Sequence, residues 1–263
     1  MRRHSAKHIF SLIIALFATS PVIGVQQPIQ ETQRLSLRVV ADKEVYLPGE
    51  LISVRFIMKN ESAEPLSLNP DLSVLDGNLK VFVASDDDSF REYIGPGWGT
   101  RDSLAGAPIE LLPSESFETN ATILWNQKLE TSHLSELYKK PMDQQRLKTD
   151  YAFTAAGKYH LKAVIYNAKT GTTVESPPVA IVIESPQGAE LLIWKQLKQD
   201  PDYAFFIQTG GLLEHPKGAK TAKVANELDR MLTKHPDSRY AQSIRRSLTK
   251  RQESIELTER DNQ

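Results

Sequence analysis

The hydrophobic period of this chain changes once, near residue 186, and that change constrains its fold more than any single motif. From about residue 35 to 185 the period is two. In "EVYLPGELISVRFIMKN" (44–60), Ile52, Val54, Phe56 and Met58 share one face, while Ser53, Arg55 and Lys59 share the other. That is the pattern of a strand with one buried and one wet face. Pro48 and Gly49 supply the turn before it, because Pro presets φ and Gly accepts positive φ. "LSLRVVA" (35–41), "NLKVFVA" (78–84), "SFETNATILW" (116–125), "GKYHLKAVIYN" (157–167) and "TTVESPPVAIVIES" (172–185) continue the alternation. Short strands separated by turn residues, with no helical pattern between them, argue for a mainly β, antiparallel sandwich over 35–185.

From 186 onward the period becomes 3.6. "AELLIWKQLK" (189–198) brings apolar bulk, and "TAKVANELDRMLTKHP" (221–236) sets Val224, Leu228, Met231 and Leu232 in one stripe. Pro236 breaks that helix, and Asp237 and Ser238 can accept hydrogen bonds from the first N–H groups of the next one. Tyr240, Ile244 and Leu248 carry the following stripe. Three to four helices are expected over 186–252, then a frayed polar tail over 253–263. Residues 126–150 fit neither period and read as a long crossing loop; loops of that length are often functional.

The first 24 residues read as an address. Arg2, Arg3 and Lys7 precede an apolar run over 9–18, and Val22 to Gly24 offer small residues for cleavage. That is a signal peptide pattern, since a membrane span needs about 20 apolar residues. No later segment is long and apolar enough to cross a membrane, so a periplasmic or extracellular protein is expected. The chain has no Cys, which rules out the lipid attachment of bacterial lipoproteins and leaves stability to the core alone. With Arg2, Arg3 and Lys7 removed, 29 Lys and Arg stand against 33 Asp and Glu. Residues 25–185 hold 16 basic and 22 acidic side chains, and residues 186–263 hold 13 and 11. Neither part has the basic excess of a nucleic-acid binder.

Chemistry-bearing patterns are sparse. His133, His160, His215 and His235 show no metal-ligand spacing, and His160 reads as a solvated strand residue. The acidic run "SDDDS" (85–89, with Asp86 to Asp88) could hold a hard cation, or simply form a turn. In "GPGWGTRDS" (95–103), Trp98 with Arg101 behind it could stack on a sugar or peptide, or fold back over a sandwich edge. Asn60-Glu61-Ser62 and Asn120-Ala121-Thr122 match a glycosylation pattern. No nucleophile elbow, phosphate-binding loop or dinucleotide fingerprint occurs, so neither an enzyme nor a cofactor or metal is expected.

Two resemblances add to this. In "FTAAGKYHLKA" (153–163), Gly157 and Tyr159 look like the start of strand F in immunoglobulin-like sandwiches, where the tyrosine hydroxyl bonds back to the preceding corner. Leu161 stands where antibody domains carry a Cys. The layout of Tyr46 to Glu50, Asn60 to Ser62, Pro113 to Glu115 and Phe153 to Tyr159 also resembles a group of exported bacterial proteins. "LDRMLTKHPDSRYAQSIRRSL" (228–248) is similar to the helix pairs of tetratricopeptide-type units, which bind proteins in a groove. A stable array needs about three such units and at most one and a half fit here, so the helices are expected to pack on the sandwich or on each other. With the absence of catalytic motifs, the chain reads as a non-enzymatic exported binding protein whose partner is another envelope or secreted protein. The expected surfaces are Trp98 and Arg101 on one loop, and an apolar groove near Leu228, Tyr240 and Ile244. Two alternatives remain: a proteinase inhibitor acting through 126–150, and a carbohydrate-binding module built around Trp98.

Overall fold

The computed structural model describes residues 34–68, 72, 74, 78–86, 88–96, 107–128, 148–167, 172–212 and 216–260. The proposed signal segment, Trp98, Arg101, and most of the 126–150 loop lie outside them. Within the unit Thr32–Gln263 the chain is mainly β, followed by four helices, as the change of period predicts.

One sheet orders β1 (Leu35–Ala41), β3 (Ile52–Asn60) and β8 (Ser116–Ile123), all antiparallel. The other orders β2 (Val45–Tyr46), β13 (Val179–Ile183), β11 (Gly157–Asn167), β5 (Leu79–Ser85) and β6 (Arg91–Tyr93), with β12 (Thr172–Glu175) also pairing with β11. This is the strand arrangement of an immunoglobulin-like sandwich. Two small ladders complete it: β4 (Leu66–Leu68) with β7 (Ile109–Leu111), and β9 (Trp125–Lys128) with β10 (Lys148–Tyr151). The ends of the expected crossing loop are thus strands. One pairing departs from the antiparallel expectation: β2 runs parallel to β13, with Val45 opposite Val182. A two-residue strand has too little alternation to announce itself. The stretch 172–185 splits because Pro177 and Pro178 carry no N–H for a ladder.

Strand alternation closes a first core between the sheets. Leu37, Val39, Val54, Phe56, Met58 and Ile123 from one sheet meet Leu79, Val81, Leu161, Ala163, Ile165 and Ile181 from the other. Tyr159 makes the predicted corner, its hydroxyl donating to the Ala155 carbonyl at 3.0 Å, with Phe153 edge-on at 5.0 Å between ring centres.

The four helices are α1 (Gly188–Leu197), α2 (Pro201–Thr209), α3 (Ala219–Lys234) and α4 (Ala241–Arg260). Asp200 caps α2 by accepting from the Asp202 N–H, and Pro201 fills the first turn where its missing N–H costs nothing. Helix α4 runs through the stretch expected to fray. Glu253, Glu256, Leu257, Glu259 and Arg260 there are good helix formers, and Gln252 donates to Glu256 one turn on while Lys217 ties Glu259 to the start of α3. No described helix is long and apolar enough to cross a membrane.

A second core joins the helices to one end of the sandwich. Leu47, Leu51, Leu124, Trp125 and Tyr151 of the β part pack with Trp194, Phe205, Phe206, Leu228, Tyr240 and Ile244 of the helical part. Trp125 meets Phe205 edge-on at 5.2 Å, and Tyr151 meets Trp194 edge-on at 5.0 Å. Burying each such side chain contributes about 1.5–3 kcal/mol, so the helices are part of the fold rather than an appendage.

Candidate functional site

The turn motifs of the sequence are the fastening between the two parts. Leu47-Pro48-Gly49-Glu50 and Leu112-Pro113-Ser114-Glu115 form the same turn. In each, the Glu N–H donates to the Leu carbonyl (3.1 and 3.0 Å), and the Glu carboxylate accepts the Leu N–H (2.8 and 2.7 Å). The third residue takes positive φ, 76° at Gly49 and 68° at Ser114, as a type II turn requires. The two copies then diverge. Glu115 is exposed, whereas Glu50 is buried and pairs with Lys43 and with Arg239, whose guanidinium also donates to the Val45 carbonyl at 3.0 Å. The Tyr240 hydroxyl donates to the Pro48 carbonyl at 2.8 Å, and Gly49 lies against the Trp194 ring. Asn60 is likewise framework: its buried amide donates to the Glu64 and Leu111 carbonyls and accepts from Ser62. A fully enclosed side chain cannot serve as a glycan acceptor in the folded chain.

The groove expected at Leu228, Tyr240 and Ile244 is not open. All three are buried, because the apolar stripes of α3 and α4 cover Trp125, Trp194 and Phe206 instead of facing solvent. The acidic run, where described, is the tight connection after β5: Asp88 N–H donates to the Ser85 carbonyl, and Asp86 pairs with His160 at 2.7 Å and faces Lys158 at 3.8 Å. His160 is therefore paired rather than merely solvated. Among the described residues no cluster of three or more His, Asp or Glu could hold a metal.

A cleft opens where the sandwich meets the helices. It holds about 350 Å³. Thr119 to Thr122 of β8 form one wall, and Gln208 and Thr209 of α2 with Lys250 of α4 form the other. Tyr93, at the end of β6, closes the floor. Gln208 is the pivot. Its amide oxygen accepts the Trp125 N–H at 2.8 Å, and its amide nitrogen donates to the Thr122 carbonyl and to the Tyr93 oxygen. The Tyr93 hydroxyl donates in turn to the Trp125 carbonyl at 2.8 Å. Leu124 separates β8, which pairs with β3, from β9, which pairs with β10, and Gln208 bonds the Thr122 carbonyl and the Trp125 N–H on either side of it.

Burial raises the Tyr93 phenol well above its ordinary value, so it stays a neutral donor. Burial, and then the neighbouring Arg246, push the Lys250 ammonium down; Glu253 opposes them. Lys250 donates to the Gln208 carbonyl at 3.3 Å. Gly210, with φ 87°, ends α2 where any Cβ would meet the Lys250 side chain at 2.6 Å. Among the described lining residues, Lys250 is the one that carries a formal charge. Sequence reading missed this cleft. Gln208 and Lys250 are ordinary surface residue types; the signal that could have announced α2 is its Asp200-Pro201 start.

No family model matches this chain, and no curated protein does. Among solved structures, a β-glucosidase from Erythrobacter marinus is 9% identical over 58% of this chain, with a TM-score of 0.30. This chain covers 16% of that enzyme. The sporulation control protein Spo0M of Bacillus subtilis is 9% identical over 67% of this chain and 54% of its own, with a TM-score of 0.28. The CARDB domain of the PF1109 protein from Pyrococcus furiosus, solved in complex with di-metal ions, is 12% identical over 59% of this chain and 97% of its own, with a TM-score of 0.28.

Proposed function

We propose that this chain is an exported, non-enzymatic binding protein that holds another envelope or secreted protein in the cleft between its sandwich and its helices. The observation that carries the reading is the make-up of the cleft. Its described lining offers amide, hydroxyl and apolar groups and one amine, with no carboxylate, imidazole or thiol to move a proton. Its volume lies at the small end of the roughly 300–1,000 Å³ of small-ligand pockets, room for one short segment of a partner. Its two walls are tied together by the Gln208 network, so a partner meets a preformed surface. Export rests on the pattern of Arg2 to Gly24.

The test is site-specific photo-crosslinking in native envelope extract, with the chain from residue 25 onward. A photoreactive side chain at Thr119 is expected to capture a protein that the same group at Lys223, on the exposed face of α3, does not capture. Equal capture at both positions, or none at Thr119, would remove the reading.

A further inference from the structure

Among the described strands β8 is an outer one, and Thr119 to Thr122 along it line the cleft. The hydrogen bonds fix which of its peptide groups point outward. Asp42 N–H donates to the Ser53 carbonyl, so Ser53 turns its peptide groups toward β1, away from β8. Ser53 is in register with Thr122, and the Thr122 carbonyl accordingly bonds Gln208 rather than β3. At the far end, Asn60 N–H donates to the Glu115 carbonyl and Ser114 N–H to the Asn60 carbonyl. In an antiparallel pair these two states alternate. Ala121, Thr119 and Phe117 therefore bond to β3, and the peptide groups of Thr122, Asn120 and Glu118 face outward.

At Thr122 the side-chain amide of Gln208 already occupies the place of a neighbouring strand's peptide group. At Asn120 and Glu118 no described strand does. The edge is eight residues long and carries neither proline nor lysine, two usual protections of an open edge. The outer strands of the other sheet, β6 and β2, are three and two residues long. The outer edge of β1 is also long, but the cleft runs along β8. Lys250 brings positive charge to the helical side of the cleft, with Arg246 one turn before it on α4 adding to that charge and Glu253 opposing it.

We propose that the docking element of the partner is an extended peptide segment that adds as a new strand to the outer edge of β8, with one of its carboxylates on the Lys250 amine. Main-chain bonds to Asn120 and Glu118 supply the pairing, and the charge at Lys250 fixes direction and register. The inference rests on the cleft reading above and adds the chemical class of what enters it.

The experiment selects short peptides with free carboxylates from a random display library on the full chain from residue 25. Enrichment of peptides that carry an acidic group is expected. On binding such a peptide, the Asn120 and Glu118 amides should slow in hydrogen exchange, while those of Thr119 and Ala121 are slow already. Asn120→Pro, which removes one outward N–H at an edge position, should weaken the peptide about tenfold or more. Lys250→Met should weaken it about tenfold, and converting the peptide's acid to its amide should add nothing further in that variant. Should Asn120→Pro not fold, the exchange pattern and Lys250→Met still decide. No enrichment, or unchanged Asn120 exchange in the bound chain, overturns strand addition. Protection of Asn120 that grows with protein concentration alone would show two copies pairing, which also overturns it. If Thr119 crosslinks a partner while Asn120 stays unprotected, strand addition falls and the cleft reading stands. If neither occurs, both fall.

Discussion

The two Leu-Pro-x-Glu turns separate backbone strain from packing. Both need positive φ at their third residue, and one supplies Gly49 where the other supplies Ser114. A Cβ built on Gly49 meets the Trp194 ring at 2.5 Å. Gly49→Ser is therefore expected to lose about 2–4 kcal/mol, combining strain with a crowded core. Ser114→Gly relieves strain at an exposed position and is expected to be neutral or to stabilise by up to about 1 kcal/mol. Urea unfolding of the two variants checks this; similar shifts in the same direction would refute the packing argument. Gln208 makes a second contrast. Gln208→Leu keeps the volume of α2 but strands the Trp125 N–H and the Thr122 carbonyl. It should lose about 2–4 kcal/mol in the same assay, because buried peptide groups without partners cost about 1–3 kcal/mol each. A loss below about 0.5 kcal/mol would mean that water replaces the amide.

At the scale of elements, α1 to α4 complete a core that the sandwich cannot close alone. Ending the chain at 186 exposes Leu47, Leu51, Leu124, Trp125 and Tyr151 together. Five such side chains represent on the order of 10 kcal/mol of burial, comparable to the whole stability of a domain. The truncated chain is expected to aggregate or to bind hydrophobic dyes, by size-exclusion chromatography and dye fluorescence. A monomeric, cooperatively unfolding sandwich would contradict this. Ending the chain at 252 removes no buried residue among those described and should shift stability by less than about 1 kcal/mol. The same contrast explains what could be read from sequence. Strands β3, β8 and β11 face solvent on one side and alternate, so their period was visible. Helix α2 is buried almost all round, from Tyr203 to Gln208, so it shows no amphipathic period and went unread. The stripes of Val224, Leu228 and Ile244 were legible, but which surface they cover was not, since period gives a face and not its neighbour. The cleft depends on Gln208 and Lys250, whose roles arise only when α2 and α4 reach β8.

At the scale of the molecule, tyrosines recur where separate parts meet, and this sets the response of the fold to pH. Tyr46 bonds Asp42, Tyr93 joins β6 to the start of β9, Tyr151 donates to Leu197 of α1, Tyr203 bonds Glu227, and Tyr240 donates to Pro48. Burial raises all five phenols, with Asp42 adding at Tyr46 and Glu227 at Tyr203. The folded chain thus keeps these protons at pH values where the unfolded chain, with phenols near about 10, releases them. Their contribution to stability is full below about pH 10 and falls as pH rises through the folded values. Lys250 works in the opposite direction, since its lowered value favours the folded state as pH rises toward the ordinary lysine range. One partly exposed amine is outweighed by five phenols at packed junctions. The urea midpoint is therefore expected to hold between about pH 8 and 9.5 and to drop steeply by about pH 11. Phenolate absorbance from the buried tyrosines should appear together with the loss of tryptophan signal from Trp125 and Trp194, which sit in the same junction. A flat midpoint to about pH 11, or phenolate absorbance complete before the tryptophans change, would show that these hydroxyls are reachable by water in the folded chain and that the junction is not the closed core described.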